Sequence, residues 1–410
     1  MFVLRVCMMA LRSLWIHPLR SILATLGVII GVGAVVAAMA ILEGMSARFR
    51  AGFESMGSNK LFVTPNIQRR HNRMVGSFDS LRLGDAEAID RACGKVESVM
   101  PQISQREAMV KFLSKNTTAD ILGATESYQE ISSHYVSEGD FITAQNVQGK
   151  ANVVVLGSRV KEELFGGRPA LGEKVRIFGL LGARTFTVIG VMEEKGNVAF
   201  MDVDRQVIVP VTTAMEKLYG LKSVQTIVVE AVSPDDADIE AAAGQIKKLL
   251  RQRHKIRAAQ DDDFEVKSQK DMVEQVGQFQ QIVGIVLGSI AGISLVVGGI
   301  GIMNIMLVAV TERTREIGVR MAMGAQRTDV LVQFLIEASF VSFLGGAMGV
   351  LMGWGFANTI EQLTRVFETL TTGLSVGLAL TMATLTGIVS GIYPAWKASR
   401  LDPVEALRYE

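Results

Sequence analysis

A chain of 410 residues with 49% apolar and 20% charged residues is more apolar than an ordinary soluble enzyme. Its net charge of +1, with no single basic cluster, argues against a nucleic-acid partner. Two cysteines and four histidines, all scattered, provide no metal-ligand spacing.

The apolar excess is concentrated in four stretches long enough to cross a bilayer: residues 21–42, 281–310, 330–360 and 375–396, with Glu337 the one charge in the third. The predicted fold class is an α-helical four-span bundle with a large α+β extracytoplasmic domain of two subdomains on a helical stalk. Arg5, Arg12 and Arg20 precede the first span; Arg313, Arg315, Arg320 and Arg327 lie between the second and third; Lys397, Arg400 and Arg408 follow the fourth. The loop between spans three and four holds only Arg365, so the positive-inside rule places both termini in the cytoplasm and the insert outside it.

In chain order, residues 1–18 space Leu4, Met8, Leu11 and Trp15 as an amphipathic helix on the inner membrane face. Ala38-Met39-Ala40 resembles a signal-peptidase site, but the apolar stretch is too long for a signal h-region, so residues 20–43 read as span one. The extracytoplasmic domain covers 46–272. Strands are expected at 60–64, 96–100, 108–112, 119–122, 151–156, 174–177, 185–192, 206–211, 226–231 and 264–267, with helices at 84–92 and 235–253. Residues 60–115 and 225–270 read as one subdomain and about 116–224 as a β-rich insertion. Asp261, Asp262 and Asp263 read as a solvated turn, and His134, Tyr135, Ser158 and Arg159 as structural or surface residues.

No charge occurs from Gln275 to Thr311, 37 residues or about 55 Å of helix, against roughly 30 Å of hydrocarbon. Residues 273–310 therefore read as stalk plus span two, with Gln275, Gln278, Gln280 and Gln281 at the exposed outer end. Residues 311–329 form a cytoplasmic segment. Taken as one continuous helix, it lines Val310, Thr314, Ile317 and Met321 on one face. Glu312, Arg313, Arg315, Glu316 and Arg320 occupy the other, interrupted by Val319 and Met323. Apolar residues among charges suit docking of a soluble partner; the same pattern suits a snorkelling interfacial helix. Gly318 and Gly324 are expected to let it bend.

Span three is 330–358, the outer loop 359–374 and span four 375–396, expected to stop at Pro394. In the tail, 397–410, Asp402 reads as N-cap of a last helix with Pro403 first and Glu405 third. Glycines recur at steps of four: Gly27 and Gly31; Gly284, Gly288 and Gly292; Gly345, Gly349 and Gly353; Gly387 and Gly391. Such ladders let helices approach in lipid, against their own chain or a second copy, although glycine is also simply common in membrane helices. Asn304 and Glu337 read as polar residues that bond neighbours, not as an ion path.

The order span, outer domain, three spans, with PLRSILATLGVIIGVGAVVAAMA, GGIGIMNIMLVAVTERTREIGVRMAMGAQRTDVLVQFLIEA and YPAWKASRLDPVEALRYE, resembles the MacB-type permeases of the FtsX-like ABC transporter superfamily. VVVLGSRVKEELFGG, TFTVIGVMEEKGN and LLRQRHKIRAAQDDDFEV resemble that family's periplasmic domain. There is no G-x-x-x-x-G-K-[ST], so the resemblance is to a stand-alone permease, not itself an enzyme, served by a separate ATPase that binds ATP and Mg. The resemblance implies a bacterial inner-membrane homodimer, or a pair with a paralogous permease, working by mechanotransmission with a periplasmic adaptor and outer-membrane channel. Glu312, Arg313, Arg315, Glu316, Val319, Arg320, Met323 and Arg327 would be the ATPase contact. Relatives that extract lipoproteins or control cell-wall hydrolases are the alternatives.

Overall fold

The computed structural model describes residues 18–54, 57–66, 68–70, 73–75, 79–198, 201–258, 260–364 and 369–408. The expected N-terminal amphipathic helix and Arg365 lie outside them. The chain forms two compact units, a helical one and an α/β one of residues 48–276.

The helical unit is built on α1 (Pro18–Glu54), α4 (Gln269–Glu312), α6 (Arg327–Thr364) and α7 (Gly373–Ser399), all long and apolar enough to cross a membrane. The four-span reading is borne out. Its core is small and branched: Val28, Val32 and Val36 of α1, Leu295, Ile302 and Met306 of α4, Phe334 and Ala338 of α6, Ala379 and Ala383 of α7. Glycines set the spacing. A Cβ on Gly27 would lie 2.7 Å from Gly298 Cα, joining α1 to α4; on Gly353 it would lie 2.6 Å from Gly33 O, joining α1 to α6. Gly349 meets Ile29 O in the same seam, and Gly31 meets the Ala291 carbonyl and Leu295 in the first. Gly391, 2.7 Å from Ala338 Cβ, and Gly387, against Ser342, join α6 to α7, and Gly299 meets Ser390 of α7. The four helices thus close into a ring. Gly345 makes only ordinary contact with Val28, while Gly284, Gly288 and Gly292 have nothing within 4 Å.

Pro394 does not end the fourth helix. It lies buried inside α7, where its missing N–H costs one bond to the Ser390 carbonyl that a packed membrane helix tolerates. Gln280, expected to be exposed, hydrogen-bonds Ser46 of α1.

The α/β unit has ten main strands: β1 (Lys60–Pro65), β2 (Val96–Phe112), β3 (Lys115–Ala124), β4 (Val136–Gly139), β5 (Val153–Leu156), β6 (Lys174–Gly179), β7 (Gly182–Met192), β8 (Gln206–Pro210), β9 (Thr226–Ala231) and β10 (Phe264–Ser268). They order as β10-β1-β9-β2-β3-β8-β5-β7-β4, with β6 bonded to β2 and β7. The two short strands expected at 96–100 and 108–112 are one 17-residue strand. Its first half pairs with β9 and its second with β3, so β2 joins both parts of the sheet, with an irregularity between Gln105 and Ala108 that leaves Glu107 at φ +56°.

Strand alternation gives the sheet two apolar faces. Leu61, Val99, Ile103, Val207 and Val229 enter the larger core under α2 (Leu83–Ala92) and α3 (Asp236–Arg253). Met100, Leu122, Ile208 and Val228 point the other way, into a second core with Tyr128, Ile131 and Phe141.

Candidate coupling site

The charged segment after α4 is not one continuous helix. α4 ends at Glu312, Arg313 turns with φ −102° and ψ 11°, and α5 (Thr314–Ala322) begins. Two observations explain the break. Arg313 is drawn inward: its Nη1 lies 3.3 Å from Oε1 of Glu337, a carboxylate 3% exposed nearly three turns into α6. Thr314 Oγ1 donates to the Val310 and Thr311 carbonyls, both at 2.9 Å, so the loosened backbone acceptors stay satisfied.

α5 buries Thr314, Ile317 and Gly318. Its cover is α8 (Pro403–Arg408), started by Asp402, whose Oδ1 accepts the Val404 N–H at 2.9 Å. Gly318 is a contact point, not a bend: a Cβ there would lie 2.7 Å from Ala406 Cβ. Gly324 closes α5 at φ +100°. Its N–H donates to Met321 O at 3.1 Å and Ala325 N–H to Arg320 O at 3.1 Å, the Schellman pattern. Gln326 then starts α6, its N–H held by Asp329 Oδ2 at 3.0 Å.

The structure brings four of the eight predicted contact residues onto the open side of α5. Arg315, Val319 and Met323 follow at steps of four, with Glu316 beside them; Met323 is 78% exposed. Arg320 lies at the edge, ion-paired with Glu316 and donating to Gln333 Oε1 at 2.9 Å. Glu312 and Arg327 are exposed at the adjoining ends of α4 and α6. Arg313, half-buried, turns toward Glu337 instead. Sequence reasoning missed Val404 and Leu407, exposed on α8. Their signal was the capped start of that short helix, expected to lie against the inner ends of the bundle or the same cytoplasmic partner. The arrangement is a helix clamped on one side and presenting apolar side chains among charges on the other.

The remaining candidates are structural. Asp262 is ion-paired with Arg251 and lies 3.3 Å from Lys247, while Asp263 Oδ1 meets His254 Nδ1 at 2.8 Å. The acidic run therefore grips the end of α3, which corrects its reading as a solvated turn. Arg253 Nε meets Asp85 Oδ1 at 2.8 Å in the same cluster. Burial pushes the Asp85 carboxyl up, but Arg253, the Arg82 N–H and His254 together hold it below the usual carboxylate range. His134 is buried against Tyr128 Oη and the Glu193 carbonyl. Arg159 pairs with Asp202. Among the described residues, no group of three or more His, Cys, Asp or Glu is placed to hold a metal ion.

Residues 21–249 match the family model described as MacB-like periplasmic core domain, and residues 288–403 match FtsX-like permease C-terminal. The chain belongs to the MacB-like family. Over 402 residues it is 38% identical to the Macrolide export ATP-binding/permease protein MacB of Bdellovibrio bacteriovorus, covering 97% of this chain and 61% of that protein. The protein of the same name from Hyphomonas neptunium is 39% identical over 410 residues, covering 98% and 60%. The MacB-like chain thus spans about three fifths of the length of these curated relatives. Its structure aligns with the periplasmic region of MacB from Actinobacillus actinomycetemcomitans at TM-score 0.44 and 23% identity, over 55% of this chain and 95% of that one. The assignment rests on the sequence matches.

Proposed function

We propose that this MacB-like chain is the permease subunit of an ABC-type exporter, in which a separate cytoplasmic ATPase drives movement of the α/β unit. The observation that carries this reading is α5. Its inner face is fixed by α8 and by the Arg313–Glu337 pair beside it, so force on Val319 and Met323 passes into α4 and α6 instead of bending a loose loop. ATP and Mg belong to the ATPase. The arginines around α5 and the basic tail support a cytoplasmic position for this end and both termini. In this reading the α/β unit lies in the periplasm; the relatives' names support export, and the adaptor and outer-membrane channel are part of the proposal.

A second copy completes the unit. Gly284, Gly288 and Gly292 face open space, and Asn304 is exposed in the apolar part of α4. A lipid-facing amide is unfavourable, and a paired α4 would cover it.

The test is co-expression of the full chain with a candidate ABC ATPase and measurement of assembly and ATP turnover. Val319→Asp with Met323→Asp should cut association by about 10-fold or more, because each apolar side chain contributes on the order of 1.5 kcal/mol when buried. Unchanged assembly and turnover would sink the coupling role of α5.

A further inference from the structure

The second face of the sheet holds a cavity that the coupling role does not use. Alternation along β2 sends Met100, Gln102 and Ser104 to this face, and along β8 it sends Gln206 and Ile208 there. The helix Tyr128–Ser132 covers the apolar part, and Lys195, Val198, Met201 and Val203 line the rest. These residues are fastened at their base. The Asp204 carboxylate, in a residue 6% exposed, accepts the N–H groups of Lys195 at 2.9 Å and Gly196 at 2.7 Å. The Lys195 ammonium donates to the Ser132 and Ser133 carbonyls, both at 2.7 Å. Partial burial pushes the Lys195 pKa down, with Glu193 opposing it.

About 140 Å³ remains between these walls, lined by Met100, Leu122, Ile131 and Val228 with the two glutamines. This is close to the roughly 150 Å³ of an apolar cavity that stays dry and takes up benzene. The glutamines set it apart from a packing defect. Gln206 is 9% exposed, and its side-chain amide has no hydrogen-bond partner among the described residues; the same holds for the side chain of Gln102. The Gln206 amide is not sealed from water, so it can bond whatever fills the space, which valine or leucine at the same strand position could not.

We infer that this cavity binds a small neutral ligand, or one arm of a larger one, made of an aromatic or branched apolar body with a single amide or carbonyl group. The body lies against Met100, Leu122 and Val228, and Gln206 hydrogen-bonds the polar group. A neutral ligand fits better than an anion, because Lys195, the one lysine or arginine among the described lining residues, already gives two of its three protons to backbone carbonyls. The inference stands independently of the ATPase proposal.

The experiment uses the full chain in lipid nanodiscs and fluorine NMR of 4-fluorobenzamide, with fluorobenzene as the probe lacking the amide and empty nanodiscs as the partition control. Saturable broadening of both probes beyond the control is expected. Gln206→Leu should weaken the benzamide by about 5-fold and leave fluorobenzene unchanged, the loss of one hydrogen bond. Ser104→Trp, at the mouth, should remove both signals with the unfolding temperature unchanged, and Val228→Phe, filling from the floor, is the second blocking variant. Broadening no greater than in empty nanodiscs, or equal in the wild type and all folded variants, would overturn the assignment.

Discussion

Arg313 and Glu337 stand 3.3 Å apart although 24 residues separate them, and this pair ties the turn between α4 and α5 to the side of α6. Glu337 is 3% exposed, and the Arg313 guanidinium is its ion-pair partner. Removing one partner of a buried pair leaves an uncompensated charge and costs about 3–5 kcal/mol. Arg313→Ala should therefore lower the unfolding temperature of the purified chain clearly more than the paired change Arg313→Met with Glu337→Leu, which leaves no charge behind. Equal losses in thermal unfolding would show that the pair is not buried as described.

The contact of Gly318 with Ala406 predicts that side chains added there displace α8. Gly318→Val should cost about 1–3 kcal/mol by overpacking and raise hydrogen exchange in residues 403–408. Gly324→Ala, with nothing near its Cβ, should act only through its φ of +100°, at about 1 kcal/mol, and leave exchange in α8 unchanged. Peptide-resolved exchange separates the two effects.

The glycine ladders divide into two kinds. Gly353→Val drives a side chain into the Gly33 carbonyl and should destabilise the isolated chain by about 1–3 kcal/mol. Gly288→Val meets nothing in the same chain and should leave its unfolding temperature within a degree or two. It should instead reduce self-association, read by cross-linking in membranes.

Asp85 predicts a pH dependence in the α/β unit. Its carboxyl is held below its ordinary value of 3.8, so its stabilising contribution is present above that value and is lost as pH falls through the lower folded value. Asp85→Asn should lower the unfolding temperature at pH 7 by about 4–8 °C, for a loss of about 2 kcal/mol in a unit of this size. The gap should close in acid below the usual carboxylate range. A gap that persists unchanged there would mean that Asp85 acts through shape instead of charge.

The membrane character, the four long helices and the start of the last helix were legible in the amino-acid sequence because they depend on local rules, whereas the expected stop at Pro394 was overridden by packing. Apolar length alone decides whether a segment can cross a bilayer, and Asp402-Pro403 starts a helix wherever it lies; Gly324, expected as a bend, instead ends α5 through its positive φ. Alternation likewise revealed strands at 60–64, 226–231 and 264–267 close to their observed limits.

Partners distant along the chain were decided only in three dimensions. Gly27, Gly288 and Gly353 carry the same local signal, yet one meets α4, one meets nothing in its own chain and one meets α1, because helix rotation selects the face that packs. Arg313 counts among the charged residues of its segment in one dimension and leaves that surface once α6 brings Glu337 within reach. In the same way Gln206 sits in an apolar strand without apparent purpose until β2, β8 and the helix at 128–132 enclose a space around it. Periodicity assigns a residue to a face of its element, and only packing between elements decides what that face meets.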